Sequence, residues 1–460
     1  MLSPNDIVRS GLCIGCGSCV GGADLGCHAM HFDGYGQLKP HGSAAWMRNR
    51  TASFARTCPF SPAAANEDEL AARRFPHAAR HDALIGRFES AYVGHVAEKD
   101  FRASGSSGGL VSWVACALLR AGMVDAVAHV APRSGSSGNG AFFRYTVSRS
   151  EADVRAGAKS RYHPVELSGV IAEMRARPGR YAVVGIPCFI KALHLLRAED
   201  PIVAERLAFT LGLFCGHMKS ARMVESFAWQ MGVDIHDVGA VEYRRKDPNR
   251  PANWYTAEVT LKDGTTRAKD WWHLVDGDWG AGFFQNSACD FCDDVVAETA
   301  DISFGDAWIE PFSSDGNGTN VVVVRSPAVH DLITAAIADG RLDLKPVGSE
   351  FVARTQAAGL RHRREGLAFR LTWPRFGVRP RKRVAPGALH LPFRRKLIYV
   401  MRHGMSVWSH RVFWLARRTR SPKLYIVWAR TVLAVYQGLA YSRGRVGTLV
   451  ERLNLRGGES

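Results

Sequence analysis

The chain has 460 residues, 46% of them apolar; that is long for one core and too apolar for a disordered chain, so two or three folded units are expected. Its net charge of +17 is unevenly spread: residues 361–460 hold 23 Lys and Arg against Glu365, Glu451 and Glu459, while the first 360 residues carry a slight acidic excess. Neither the opening MLSPNDIVRS nor LYIVWARTVLAVYQGLA at 424–440, which is short and holds Arg430, supports a secretory signal or a spanning helix. A cytoplasmic setting is expected, where clustered cysteines bind metal or do redox chemistry.

The first segment, 1–75, is rich in Cys, Gly and short polar turns. GLCIGCGSCV (11–20) sets Cys13, Cys16 and Cys19 two residues apart, with Gly15 and Gly17 between them. Thiolates at this spacing point the same way around a tight loop, the geometry that a four-iron cluster asks of consecutive ligands. The local Cys-Pro that usually supplies the fourth ligand is missing. RTCPFSP offers such a unit at Cys58 and Pro59, with Cys27 as the rival. Zinc is the competing reading, although zinc sites usually space their thiols as two separate pairs.

Over 76–360 strand and helix patterns alternate. AYVGHVA (91–97) reads as a strand; GGLVSWVACALLRAG follows as a helix with Leu110, Val114 and Leu118 on one face, Cys116 in the core and Gly122 at its end. VDAVAHVA (124–131), YAVVG (181–185) and LAFTLGLF (207–214) read as further strands, with the helical FIKALHLLR (189–197) between the last two. The fold class this implies is α/β, with a mixed, mostly parallel sheet.

Between the first strand and its helix, RASGSSGGL offers backbone N–H groups and the Ser106 and Ser107 hydroxyls to a phosphate, or is a flexible linker, since it matches no nucleotide fingerprint. AGAKSRYHP places Lys159, Arg161 and Tyr162 together: cations and an aromatic face for a cofactor, or a surface turn. Cys188 in VVGIPCFIKAL and Cys215 in LGLFCGHMKS each follow a predicted strand, and the carboxyl ends of such strands are where ligands bind. With Cys289 and Cys292 of NSACDFCDD they can form a second four-thiolate site, or be core cysteines. RSGSSGNG and DGNGTN read as polar connections.

The segment 361–460 is a basic, mostly helical C-terminal extension in which aromatic residues are interleaved with Arg, as in VWSHRVFWLARRTRSPKLYIVWAR. It reads as a solvated appendage or as a surface for an anionic membrane or an acidic protein, making the protein cytoplasmic or peripheral at the membrane. Its removal is expected to leave cofactor content unchanged. No nucleic acid is expected as a partner, because a zinc-stabilised nucleic-acid binder explains neither the SSGG loop nor the strand-end cysteines.

Taken in order, CIGCGSC, SSGGLVSWVACALLRAGMVDAV, KSRY, VVGIPCFIKAL, LGLFCGHMKS, CDFC and ADISFGDAW resemble the beta-subunit family of coenzyme F-420 hydrogenases and dehydrogenases, which includes divinyl chlorophyllide and 7-hydroxymethyl chlorophyll reductases. The resemblance spans roughly 10–345. It implies an iron–sulfur flavoprotein with an N-terminal ferredoxin-like segment and an FAD and iron–sulfur-binding core. By this resemblance Ser106, Ser107, Gly108 and Gly109 form the flavin-phosphate loop, and Lys159, Ser160, Arg161 and Tyr162 add flavin contacts. Cys188, Cys215, Cys289 and Cys292 would then join Cys13, Cys16, Cys19 and Cys58 in holding two [4Fe-4S] clusters. Asp301, Asp306 and Trp308 match a signature with a mainly structural part.

The expected activity is an FAD-dependent oxidoreductase passing electrons between clusters, flavin and a redox partner such as coenzyme F-420 or ferredoxin. His163 and His217 are the candidate proton donors. The alternatives are reduction of a C=C or C–O bond in a larger organic substrate, and an electron-transfer adaptor subunit with no substrate of its own.

Overall fold

The structure, a computed structural model, describes residues 1–22, 28–133, 141–453, 455 and 457–458. Its centre is an eight-stranded sheet in the order Leu342–Pro346, Ser90–Val96, Asn320–Val324, Ile302–Asp306, Leu207–Leu213, Tyr181–Gly185, Ala126–Pro132, Phe143–Ser148. The middle strands are continuous β-branched runs such as Val321–Val324, buried on both faces as a sheet covered by helices requires. The helix Leu110–Arg120 covers it through Leu110, Val114 and Leu118, with Cys116 fully buried as its apolar setting suggests.

The sheet is mixed but not mostly parallel. Parallel pairing joins only the four strands from Ile302–Asp306 to Ala126–Pro132, and the other four pairings are antiparallel. Periodicity fixes that a strand is buried, not the direction of its neighbour. A parallel return needs a helical crossover, and the connection from Asp306 to Asn320 holds only the short 3-10 turn Phe312–Ser314. A separate antiparallel sheet, Val238–Arg245, Thr256–Leu261 and Thr266–Asp270, is inserted ahead of Ile302–Asp306.

Residues 1–75 form short helices around the hairpin Ala29–Phe32/Leu38–His41. Ile7, Leu12, Ile14 and Phe60 share one apolar core with Val183, Phe189 and Leu193 of the sheet domain. The C-terminal extension is not a solvated appendage. Its helices Phe393–Arg418 and Pro422–Tyr441 fold back on one another, and Ile398, Met405, Phe413, Tyr425 and Tyr436 bury against Phe283 and Phe284. The aromatic residues interleaved with Arg are therefore partly a core stripe. Among the described residues no helix is long and apolar enough to cross a membrane.

Candidate functional site

The strands Tyr181–Gly185 and Leu207–Leu213 run side by side in parallel, with Gly185 opposite Gly212, so their carboxyl ends open on one edge of the sheet. Cys188 lies in the first turn of the helix Pro187–Arg197, and Cys215 lies just beyond Leu213. The 3-10 turn Ser287–Phe291 brings Cys289 and Cys292 to the same edge, tied by the bonds of Asn286 N–H to the Met218 carbonyl (2.9 Å) and Cys215 N–H to the Val295 carbonyl (2.9 Å). Met218 N–H donates to Cys289 Sγ at 3.3 Å. Cys188 feels the other three: burial, then Cys292, Cys215 and Cys289, push its thiol well up, and burial raises Cys289 to about 11. Arg363, from the C-terminal extension, donates to the carbonyls of Cys289 and Gly216 and sets its cation among Cys292, Cys289 and Cys215.

The first thiol set lies beside the second. Cys13, Cys16, Cys19 and Cys58 line one apolar hollow with Leu12 and Phe60. Burial pushes Cys16 to about 11 and raises Cys19 and Cys58 well above the usual thiol range, Cys19 also feeling Cys16, Cys13 and Cys58. Gly17 carries φ +79, and a Cβ there would stand 3.1 Å from Leu167 N, so the loop closes only with glycine. Leu167 N–H holds the Cys16 carbonyl at 2.8 Å, and Lys39 Nζ holds that of Cys13 at 2.6 Å. Cys16 is close enough to Cys188 to raise its pKa, so the two sets are neighbours. The rival ligand Cys27 lies outside the described residues.

Soft thiols converging on an apolar hollow suit an iron–sulfur cluster. Among the described residues no three His, Cys, Asp or Glu side chains gather as a single metal ion would need; tetrahedral zinc would draw its sulfurs to about 3.8 Å of each other.

The strand Ser90–Val96 has the same direction as Ile302–Asp306, with the antiparallel Asn320–Val324 between them, so the Ser-Gly loop that follows opens on this edge too. Gly109, φ +86, is packed so closely on the Phe101 carbonyl that a Cβ would come within 2.5 Å of it. Asn320 Oδ1 accepts from Leu110 N–H at 3.2 Å, and Ser160 N–H donates to Ser106 Oγ at 2.8 Å, which joins the KSRY segment to the loop. Ser107 Oγ is buried with no hydrogen-bond partner among the described residues. Lys246 Nζ donates to the carbonyls of Arg102, Ser107 (2.9 Å) and Asn317 (2.8 Å). Burial, then Arg244, Lys159 and Arg102, lower its pKa to about 8. An orphaned hydroxyl, helix-start N–H groups and several cations fit a pyrophosphate.

Sequence reasoning missed Lys246, Arg244 and Asn320. The signal for Asn320 was DGNGTN, which read as a connection; it wraps onto the loop, with Gly318 against Ser107. RSGSSGNG lies mostly outside the described residues.

Lys159 pairs with Glu242 at 3.1 Å, and Arg161 stacks on Phe143 at 5.0 Å. Tyr162 is half-buried among Tyr243, Tyr255, Trp271 and Trp279, 5.0 Å from the last. Trp279 in turn stacks on His217 at 4.3 Å, so rings connect the KSRY segment to the second thiol set. His217 Nε2 is buried and has no partner among the described residues, and burial with nearby cations holds this imidazole neutral. His163 Nδ1 meets Tyr243 Oη at 2.9 Å, within an enclosure of Phe32, Phe142 and Phe143. Asp301 accepts from Thr210 N–H (2.8 Å) and Arg74 (2.8 Å) and braces two strands. Asp306 instead holds Arg244 at 2.7 Å, over the rings of Tyr255 and Trp308.

Two cysteine sets and a Ser-Gly loop thus gather on one side of an α/β scaffold. The family models described as the N-terminal and C-terminal parts of the coenzyme F420 hydrogenase/dehydrogenase beta subunit match residues 91–172 and 179–350, together more than half of the chain. The chain belongs to this family. Among solved structures it is similar in fold to a chain from the xenon-derivatized F420-reducing [NiFe] hydrogenase complex of Methanosarcina barkeri, with 19% identity and a TM-score of 0.50, over 65% of this chain and 99% of that one. No curated protein matches the sequence. The matched range holds the Ser-Gly loop and the second thiol set; the first thiol set and the C-terminal extension lie outside it.

Proposed function

We propose that this chain is an iron–sulfur flavoprotein oxidoreductase that exchanges electrons with a partner such as coenzyme F-420 or ferredoxin. The observation that carries the reading is the convergence of eight cysteines from distant parts of the chain into two neighbouring sets, beside a cationic loop on the same sheet edge. Cys13, Cys16, Cys19 and Cys58 would hold one [4Fe-4S] cluster, and Cys188, Cys215, Cys289 and Cys292 the other. Ser106, Ser107, Gly108, Gly109, Lys159, Ser160 and Arg161 would hold FAD, with Lys246 added to them and Tyr162 in its wall. When bound, the clusters supply one-electron steps and the flavin a two-electron store.

This chain's residues bind and orient those groups. Lys246 fixes the phosphate loop, Arg363 offsets thiolate charge, and Leu12, Phe60 and Ile7 keep water from the first set. We assign His163 to the pocket wall, and His217 offers its buried Nε2 as a hydrogen-bonding group to what binds beside Trp279.

The test is anaerobic purification followed by a visible spectrum with iron, sulfide and FAD assays. About eight iron, about eight sulfide and one FAD per chain are expected. A colourless, zinc-containing protein would overturn the reading. Both clusters without flavin would favour the adaptor alternative.

A further inference from the structure

The positive charge of the C-terminal extension divides into two populations. Arg363, Arg370, Lys382 and Arg383 are buried and turned inward, on the Cys289 carbonyl, the Asp290 carbonyl, Asp293 and Glu298. Arg411, Arg418, Arg420, Lys423 and Arg430 have no ion-pair partner among the described residues. All five are exposed and lie in the last turns of the helix Phe393–Arg418, the connection that follows it, or the first half of the helix Pro422–Tyr441. The same halves of the two helices carry exposed large apolar side chains: Trp408 (51% exposed), Leu415 (45%), Leu424 (40%) and Val427 (62%). Arg411 and Arg418 stack on Trp408 and Trp414 at 5.1 and 4.7 Å. From 366 to 450 the sequence contains no Asp or Glu at all.

We propose that the turn-proximal half of this helical hairpin docks on an anionic lipid surface, with the cations at the headgroups and Trp408, Leu415, Leu424 and Val427 in the interface. An acidic protein would satisfy the cations. The lipid surface accounts also for the exposed apolar chains, which alternate with the cations along both helices. Trp beside Arg on an amphipathic helix is the composition of membrane interfaces. The other faces of the two helices are consumed by the core, so the hairpin lies on the membrane without crossing it. Each cation near an anionic bilayer adds to attraction that salt screens within a Debye length.

Removing 361–460 would not isolate this role, because the inward cations and Phe413, Tyr425 and Tyr436 support the rest of the fold. The experiment uses the full, cofactor-loaded chain in flotation with vesicles of phosphatidylcholine alone or with 30 mol% phosphatidylglycerol. The wild type is expected to float only with the anionic vesicles and to be released by high salt. The triple variant R411E/R418E/K423E should lose about tenfold or more in binding, and W408S/V427S should bind more weakly with unchanged salt dependence. R267E, an exposed cation on the strand Thr266–Asp270 outside the hairpin, should bind as wild type. The proposal is overturned if the wild type ignores anionic vesicles, if neutral vesicles bind it equally, or if the triple variant binds undiminished. Unchanged melting temperature and iron content in the variants make a loss attributable to the surface.

Discussion

Lys246 shows how one side chain can link a loop to a ligand. Its ammonium holds three carbonyls of the Ser-Gly loop and its neighbour, beside the proposed flavin-phosphate site, with a folded pKa near 8 in place of 10.5. Between those values the unfolded chain binds more protons, so the penalty for burying this cation is present below pH 8 and is relieved as pH rises from 8 towards 10.5. Phosphate binding follows the opposite sign, since the ammonium is lost over the same window. FAD affinity measured by fluorescence should therefore fall as pH rises through about 8, and Lys246→Met should weaken it by about 2 kcal/mol and flatten the profile. The thiols are tested one set at a time. Cys58→Ser and Cys188→Ser should each remove about four iron, the first with FAD retained.

At the scale of elements, the N-terminal segment is bolted to the sheet domain by a buried pair. Lys191 Nζ and Glu67 lie 3.0 Å apart, each about 5% exposed, and join the helix Glu67–Arg74 to the helix that carries Cys188. Lys191→Met leaves the Glu67 carboxylate buried without its cation and should cost about 3–5 kcal/mol in urea unfolding; adding Glu67→Gln should recover part of it. The strands and helices around this pair were legible in the sequence because their apolar runs were long and ended at Gly or Pro. Cys188 and Cys215 stood out because each follows such a run. What could not be read was strand direction, since burial patterns are the same for parallel and antiparallel neighbours. Lys246 and Asn320 were also hidden, because a lone Lys or Asn in a polar stretch gains meaning only from the loop that folds onto it.

Across the whole molecule, the C-terminal extension reaches back to the second thiol set, which no local motif announced. Arg363 stands among three of its thiols, while Arg370 and His403 hold Asp290 between Cys289 and Cys292. A buried cation favours the reduced, more negative state of a cluster. Arg363→Met should therefore lower the midpoint potential of the second cluster by on the order of 50–100 mV in a spectroscopic redox titration and leave the first nearly unchanged. Equal shifts in both would mean that the cation acts on the pair as one unit.

The spread of the thiols along the chain also sets an order in time. The first set is complete once Cys58 has been synthesised, and its loop is braced when Leu167 arrives. The second needs Cys292, and its inward cations come later still, at Arg363 and Arg383. At ribosomal speed the gap between Cys58 and Cys292 is on the order of ten to fifty seconds. A nascent chain thus presents one set of four thiols well before the other exists, so the two sets become available in sequence: the early thiols are open to oxidation, or to what they bind, while the late ones are still being made.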